Sequence, residues 1–165
     1  MKYSKQQVQQ FLPHRDPFLF IDSIEEIILP QGINASSLEK NNFKPLIGGK
    51  VIAHYFVQKD HAIFKGHFPG NPIFPGVTQV EMMAQASAFL SAECLQGDFA
   101  NINLEVALLS VTEAKFRKKI IPDAHIIIET ELVLCRQFFQ THKVFCKHEG
   151  EVMSEATIMA LLRYI

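Results

Sequence analysis

The chain has 165 residues, of which 48% are hydrophobic and 20% charged, and its 16 Lys and Arg nearly balance its 17 Asp and Glu. This length predicts one domain, residues 1–165, whose hydrophobic core needs no metal or disulfide to hold it together. The formal net charge of −1 excludes the basic surface of a nucleic-acid-binding protein, and the high apolar fraction excludes intrinsic disorder.

Cysteine usage and the N-terminus predict the cellular compartment. The cysteines are Cys94, Cys135 and Cys146. They are odd in number and form no Cys-x-x-Cys pair, so we interpret them as buried thiols in a reducing compartment. The first residues lack the apolar segment of a secretory signal, and the longest apolar run, residues 76–95, carries two Gln and two Glu. We therefore expect a cytoplasmic protein that does not insert into a membrane.

The N-terminal part of the chain predicts a short helix and two strands. Residues Ser4–Leu12 favour a helix with Ser4 as its N-cap. Phe18–Ile28 is rich in β-forming residues and predicts the first strand. Leu29–Gly49 is interrupted by Pro, Gly, Ser and Asn and predicts a loop excursion, whereas Gly49–Gln58 alternates and predicts the second strand. The apolar face of that strand would be formed by Val51, Ala53, Tyr55 and Val57.

The rest of the chain predicts one buried helix followed by strands. His61–Pro75 holds three Pro and two Gly, so it must be an ordered loop, and Pro75–Gly76 is well suited to open a helix. That helix should run from Gly76 to about Leu95 and, being apolar nearly all round, should be buried on most sides. Four β-rich segments follow, the last two joined by a turn at Glu149–Gly150: Asn103–Phe116, Ala124–Cys135, Gln140–His148 and Val152–Tyr164. We predict an α+β fold in which an antiparallel sheet wraps around the long helix.

Four residues near the start of this helix are candidates for chemistry. His67 lies in the Pro-rich loop, and histidine exchanges protons near neutral pH. Glu81 lies inside an apolar helix, where desolvation is expected to raise its pKa. Gly76 and Val77 offer backbone N–H groups at the helix N-terminus, where a developing oxyanion is stabilised. Each feature alone has an ordinary structural explanation: a surface histidine, a paired glutamate or a capped helix.

The residues around this helix start resemble a known family. The stretch GHFPGNPIFPGVTQVEMMAQ resembles the signature of the (3R)-hydroxyacyl-[acyl-carrier-protein] dehydratases of bacterial fatty-acid synthesis, which have the hotdog fold. Upstream, LPHRDPFLFIDSI is similar to that family's N-terminal motif, and AKFRKKIIPDAHIIIETEL is similar to its later strands. The dehydratase–isomerases of this family carry Asp where this chain has Glu81, so the resemblance implies the non-isomerising type.

The sequence departs from the family pattern at three places. Asp16 stands where an aromatic residue usually follows His-Arg, and Pro122-Asp123-Ala124 replaces the usual Pro-Gly-Asp turn. The Leu29–Gly49 excursion is longer than the family's tight hairpin. None of these changes touches His67 or Glu81, so they bear on substrate range and pathway rather than on reaction type.

The resemblance implies a role for each candidate residue. His67 would be the base at the α-carbon, Glu81 the acid, and the Gly76 amide the oxyanion donor, with Val77 close by. Gln85 lies one turn beyond Glu81 and would either orient its carboxyl or make a helix–helix contact. The His and Cys residues show no metal-ligand spacing, so no metal or other cofactor is expected apart from the phosphopantetheine that carries the substrate.

The resemblance also implies partners. The densest basic patch consists of Lys115, Arg117, Lys118 and Lys119. It is either a solvated strand end or the docking surface for an acidic acyl carrier protein. The family resemblance further implies a homodimer in which each site takes His67 from one chain and Glu81 from the other, with a trimer of such dimers as a higher assembly.

Two other function classes stay open at this point. One is a different hotdog activity, an acyl thioesterase or an enoyl hydratase, and the other is a non-catalytic hotdog subunit that binds acyl groups. The paired His67 and Glu81 favour the dehydratase over both. Acyl chain length and the lipid or metabolite pathway are left open by the sequence.

Overall fold

The computed structural model describes residues 1–99 and 102–165. Its strands form one antiparallel sheet, and its main helix packs against the face of that sheet. The helices are α1 (Lys5–Phe11) and α2 (Gly76–Ala88), and the strands are β1 (Ser23–Ile28), β2 (Lys50–Phe56), β3 (Leu104–Phe116), β4 (His125–Arg136), β5 (Phe139–His148) and β6 (Glu151–Tyr164). The order across the sheet is β1-β2-β4-β5-β6-β3. This is the hotdog arrangement that the sequence predicted.

The predicted strands agree with the structure within about two residues, with one exception. The first strand begins at Ser23 and not at Phe18. The residues before it are buried, but their backbone bonds to a side chain of α2: the Phe20 N–H donates to Gln85 Oε1 at 2.8 Å. Apolar content alone could not distinguish this segment from a strand, because both bury their side chains.

The central helix is shorter as an α-helix than predicted. It ends at Ala88, and the chain continues to Leu95 as a 3₁₀-helix rather than as α-helix. Two serine hydroxyls bond the backbone at this junction: Ser87 donates to the Met83 carbonyl and Ser91 to that of Ala88. Such side-chain bonds compete with the regular helical ladder, which accounts for the change.

One stripe of α2 stays open in the single chain. Most of the helix is buried, as predicted, with Met82, Met83 and Ala86 completely enclosed. The stripe is apolar except for Glu81 and consists of Val77, Val80, Glu81, Ala84 and Ala88, of which Val77 is 81% exposed. A largely apolar helix face that lies open to water indicates a surface that another element or ligand covers.

The Leu29–Gly49 excursion is an ordered cover over one end of the core. Phe43 and Leu46 are fully buried there. The Asn41 side chain bonds both the N–H and the carbonyl of Tyr164, which ties the loop to the end of β6. The longer loop is therefore part of the packing and leaves the region around His67 untouched.

The two edges of the sheet differ. The β1 edge is covered by Tyr3, whose backbone pairs with Ile24. The β3 edge has no neighbouring strand in the part of the chain that the structure describes. Four apolar side chains of β3 are exposed: Leu108, Leu109, Val111 and Phe116. A long apolar edge of this kind is a template for pairing with another chain.

The three cysteines are free and buried, as predicted. Burial raises the pKa of Cys94 and of Cys146 to about 12, so both remain thiols near neutral pH. No helix in residues 1–99 or 102–165 is long and apolar enough to cross a membrane.

Candidate active site

The loop that carries His67 is closed by its own hydrogen bonds. The His67 carbonyl accepts from the Ile73 N–H at 3.0 Å, and Phe68 and Asn71 exchange backbone bonds within this loop. Gly70 takes a φ of +75°, a value that glycine adopts without a steric penalty. The Pro-rich sequence therefore builds a tight turn that fixes the histidine backbone.

The same loop fixes the tautomer of the His67 ring. Nδ1 lies 2.8 Å from the Ile73 carbonyl oxygen, which can only accept, so Nδ1 carries the proton. Phe68 stacks on the ring at a centroid distance of 4.0 Å. Nε2 is consequently left with a free lone pair, which is what a general base requires.

Glu81 lies in a cluster of polar side chains on and beside α2. Its Oε1 is 3.2 Å from Nε2 of His14 and accepts from Nε2 of Gln85 at 2.9 Å. Gln85 also donates to the Phe18 carbonyl and accepts from the Phe20 N–H. Gln85 thus joins the carboxylate to the segment that follows His14.

The pKa of Glu81 is lowered, so the expectation that burial raises it is wrong. The hydrogen bond from His14 is the largest cause, and the bond from Gln85 lowers the pKa further, while burial opposes both. Donors that stabilise the charged form outweigh desolvation here. The sequence argument failed because it placed Glu81 among apolar neighbours on its own helix and did not bring in His14.

The N-terminus of α2 has no side-chain cap. Pro75 precedes it, so the N–H groups of Gly76 and Val77 lie in the first turn, where the helix itself supplies no acceptor. The Phe116 ring packs over Gly76 so closely that a Cβ there would lie 2.9 Å from Phe116 Cζ. The glycine therefore permits this close contact with the ring, which any larger residue at position 76 would disturb.

The basic patch adjoins this helix start. Lys115 and Arg117 flank Phe116, and both pair with Glu155. Beyond them, Lys118 pairs with Glu151, whereas Lys119 has no ion pair with any residue in the described ranges. Three of the four cations are therefore partly neutralised within the chain, and Lys119 is the least compensated.

A pocket of about 320 Å³ lies between α2 and the strands β3, β5 and β6. Its polar residues include Glu81, His14 and Gln85, together with Gln140 and His142 from β5. Its apolar wall includes Leu12, Phe18, Ala84, Val106, Leu108 and Leu162. A largely apolar pocket with a few converging polar groups is typical of a site for a small molecule or an acyl chain.

The structure does not bring all the sequence-predicted residues together. Glu81 and Gln85 lie in the pocket, but His67 does not line it. Among the residues that the structure describes, no hydrogen bond or ion pair joins His67 to Glu81. Within one chain, His67 and Glu81 therefore do not belong to the same pocket.

Sequence reasoning missed four polar residues of this pocket: His14, Ser87, Gln140 and His142. His14 was visible in the LPHRDPF motif, but its contact with Glu81 spans 67 residues of sequence and cannot be read from spacing. Gln140 and His142 alternate along β5 and so share its inward face. In the described ranges, no cluster of three or more His, Cys, Asp or Glu side chains is arranged to hold a metal ion.

Comparison with known proteins adds independent information. The FabA-like domain model matches residues 12–161. The 3-hydroxyacyl-[acyl-carrier-protein] dehydratase FabZ of Enterococcus faecalis is 34% identical over 164 residues, covering 98% of this chain and 99% of that protein. The protein of the same name from Ehrlichia chaffeensis is 32% identical over 163 residues, covering 99% and 97%.

Solved structures share the fold at low identity. The dehydratase heterocomplex ApeI:P from Xenorhabdus doucetiae matches with a TM-score of 0.64 and 18% identity, covering 93% of this chain and 89% of that one. A hypothetical thioesterase with coenzyme A from Streptococcus pneumoniae matches with a TM-score of 0.51 and 18% identity, covering 72% and 81%. Dehydratases and thioesterases therefore both occur on this fold, and the choice between them depends on the site.

Proposed function

This chain belongs to the FabA-like domain family, and from that premise we propose that it is a 3-hydroxyacyl-[acyl-carrier-protein] dehydratase. It removes water from a (3R)-hydroxyacyl thioester and yields the trans-2-enoyl thioester, in fatty-acid or related lipid biosynthesis. The observation that carries the proposal is Glu81, held by His14 and Gln85 inside an apolar pocket. A hydrolase for the same thioesters would need no acid at the β-carbon.

The first half of the reaction is removal of the α-proton. His67 takes this proton on Nε2, since its Nδ1–H is held by the Ile73 carbonyl. That carbonyl also stabilises the imidazolium that forms. The electron pair of the broken C–H bond moves toward the thioester oxygen, where the N–H groups of Gly76 and Val77 stabilise the negative charge.

The second half is departure of the β-hydroxyl. The C–O bond breaks as the α,β double bond forms, and the leaving oxygen takes a proton from Glu81 to become water. The hydrogen bonds from His14, 3.2 Å away, and from Gln85 lower the pKa of Glu81, so its acid form is the minor form near neutral pH and must be regenerated after each turnover. Gln85 keeps the carboxylate oriented toward the substrate.

The two halves of the site meet when two chains pair. An antiparallel pairing of two β3 edges would make a continuous sheet, cover the exposed apolar side chains of β3, and face the open stripe of α2 toward the second chain. A two-fold dimer of this kind supplies His67 from one chain to Glu81 of the other. A trimer of dimers is a compatible higher assembly.

Substrate delivery fits the position of the basic patch. It adjoins Phe116, whose ring packs against Gly76, so an acidic acyl carrier protein docked there would direct its phosphopantetheine arm to the start of α2. The chemistry consists of proton transfers by His67 and Glu81, so the only prosthetic group in the proposal is the one that carries the substrate. The three buried thiols fit the reducing conditions of the cytoplasm.

The test is an assay on 3-hydroxyacyl thioesters that follows two signals, absorbance of the conjugated enoyl group and release of free thiol. We expect the enoyl signal without thiol release, and a loss of about a hundredfold or more in His67→Ala and Glu81→Gln. His148→Ala and Glu26→Gln remove the same residue types away from the site and should keep full activity. Thiol release without the enoyl signal would identify a thioesterase. If neither signal appeared, the chain would be a non-catalytic subunit that binds acyl groups.

A further inference from the structure

The pocket contains a polar pair that the proposed reaction does not use. Gln140 and His142 lie two residues apart on β5, are each only 2% exposed, and line the same pocket as Glu81. Their side chains bond each other, with Gln140 Oε1 3.1 Å from His142 Nε2. The other polar atoms are not satisfied: Gln140 Nε2 and His142 Nδ1 have no partner in the structure. Ser87, in contrast, lines the same pocket with its hydroxyl already bonded to Met83.

The hydrogen-bonding needs of this pair are the same whichever way the amide is assigned. If Gln140 Oε1 accepts from His142 Nε2–H, the pair is left with a free amide donor and a bare Nδ1 acceptor. If the amide is turned round, the pair is left with a free carbonyl acceptor and an Nδ1–H donor. Burial keeps the imidazole neutral in both cases, because it lowers the pKa of His142 to about 3. One donor and one acceptor are therefore always free.

A hydroxyl group can pair with either free atom, because it can donate to an acceptor and can also accept from a donor. The pocket follows α2 from Glu81 to Ala88, about 10 Å along the helix axis at 1.5 Å per residue. Acyl carbons beyond the reacting β-carbon have room to extend in it. The remaining wall of this part of the pocket is mostly alanine, leucine and valine, with Ser87, whose hydroxyl proton is already donated to Met83.

We propose that Gln140 and His142 determine substrate specificity by binding a second hydroxyl in the distal part of the acyl chain. The preferred substrates are dihydroxyacyl thioesters rather than simple 3-hydroxyacyl thioesters of the same length. This inference rests on the proposed dehydratase function and names the acyl class that the same site selects. A site built to hydrogen-bond a hydroxyl discriminates strongly against the analogue that lacks it, because its buried polar groups are then left unpaired.

The test compares kcat/KM for the 3-hydroxydecanoyl thioester with that of analogues carrying a second hydroxyl at successive distal carbons. We expect one position to be preferred by about tenfold or more in the unaltered enzyme. In Gln140→Met and in His142→Leu the preference should disappear while turnover of the simple substrate remains. Ser87→Ala, which removes a hydroxyl that is already partnered, should keep the preference.

The outcomes separate this inference from the dehydratase assignment. Dehydration of all substrates at equal kcat/KM would overturn the specificity role and would mean that an ordered water satisfies the pair. Turnover of none of them would overturn the dehydratase assignment. In that case the specificity role is tested by binding of unreactive amide analogues, with and without the distal hydroxyl. Equal affinity for the two analogues would overturn the specificity role. Tighter binding of the hydroxylated analogue that is lost in Gln140→Met would support it. If either variant fails to fold, the specificity role is judged from the unaltered chain alone, by whether it prefers the substrate with the second hydroxyl.

Discussion

The imidazole of His14 lies 3.2 Å from the carboxylate of Glu81, although 67 residues of sequence separate them. This contact holds Glu81 in its charged form against the effect of burial. A dehydratase acid must nevertheless deliver a proton. The acid form of Glu81 is therefore the minor form near neutral pH, and each turnover has to return a proton to it.

We predict that His14→Leu moves the basic limb of the pH profile of kcat/KM to higher pH. The hydrogen bond from His14 is the largest cause that lowers the pKa of Glu81, so its removal raises that pKa and keeps the acid protonated to a higher pH. His61→Leu, outside the pocket, serves as the control. A basic limb that stays in place would show that His14 acts only in packing.

The contact between Phe116 and Gly76 predicts the effect of a single methyl group. A Cβ at Gly76 would lie 2.9 Å from the Phe116 ring, so Gly76→Ala forces the ring or the helix start to move and disturbs the oxyanion donors. We expect kcat to fall by about tenfold or more, and Phe116→Ala in the same chain to restore part of it. Gly66→Ala is the control, since nothing lies within 4 Å of its Cβ. Full activity of Gly76→Ala would remove Gly76 from the oxyanion site.

His142 predicts how stability depends on pH. Burial lowers its pKa from 6.5 to about 3, so the folded chain keeps it neutral while the unfolded chain protonates below pH 6.5. Its contribution to the free energy of unfolding is therefore complete above pH 6.5 and is lost as the pH falls toward 3, by at most about 1.4 kcal/mol per pH unit. Urea unfolding between pH 7 and pH 5 should show a shallower decline in His142→Gln. His148→Gln should keep the slope of the unaltered chain, and an unchanged slope in His142→Gln would contradict the assignment.

Sequence periodicity predicted most of the fold because the strands obey it. The alternation in β2 placed Val51, Ala53 and Tyr55 on one face, and all three are buried. The failure at β1 has a physical cause: Phe20 is buried as a strand residue would be, but its N–H bonds to a side chain of α2. The hydrophobic pattern of a sequence indicates which side chains are buried. It does not indicate which group hydrogen-bonds to the backbone N–H and C=O groups.

The candidate site was predictable only where it is local in sequence. The His67 loop and the start of α2 follow from prolines and glycines close to them, and the structure has both. The lowered pKa of Glu81 and the Gln140–His142 pair depend on tertiary contacts. No spacing rule connects residue 14 to residue 81, so the sequence argument gave the wrong sign for that pKa.

The ion pairs of the basic patch predict which charges act in docking. Lys115 and Arg117 are held by Glu155, so reversing Lys118 and Lys119 leaves that network intact and breaks only the exposed pair of Lys118 with Glu151. Lys118→Glu with Lys119→Glu should lower kcat/KM for a carrier-protein substrate by about tenfold and change it little for a short thioester mimic. High salt should shrink the difference. Lys40→Glu with Lys44→Glu reverses two charges elsewhere as the control, and equal losses on both substrates would make the patch structural.

The separation of His67 from the pocket predicts complementation between inactive chains. If each site combines His67 of one chain with Glu81 of the other, unfolding and refolding His67→Ala together with Glu81→Gln gives mixed dimers with one intact site and one doubly altered site. Random assortment makes half of the dimers mixed, so activity should return to about a quarter of that of the unaltered enzyme. Glu81→Gln mixed with itself, at the same total concentration, is the control and should stay inactive.

The fraction of activity that returns shows whether His67 and Glu81 of one site come from the same chain or from two chains. If both residues came from one chain, every chain in the mixture would lack one of them, and activity would stay near zero however well the chains pair. Mass spectrometry of the native assemblies shows whether mixed dimers have formed. Mixed dimers without activity would refute the shared site, whereas about a quarter of full activity requires two different chains to supply the base and the acid. Leu109→Lys, added to both inactive chains, places a charge on the exposed β3 edge. Because that edge is the proposed contact, these chains should neither form the dimer nor regain activity when they are mixed.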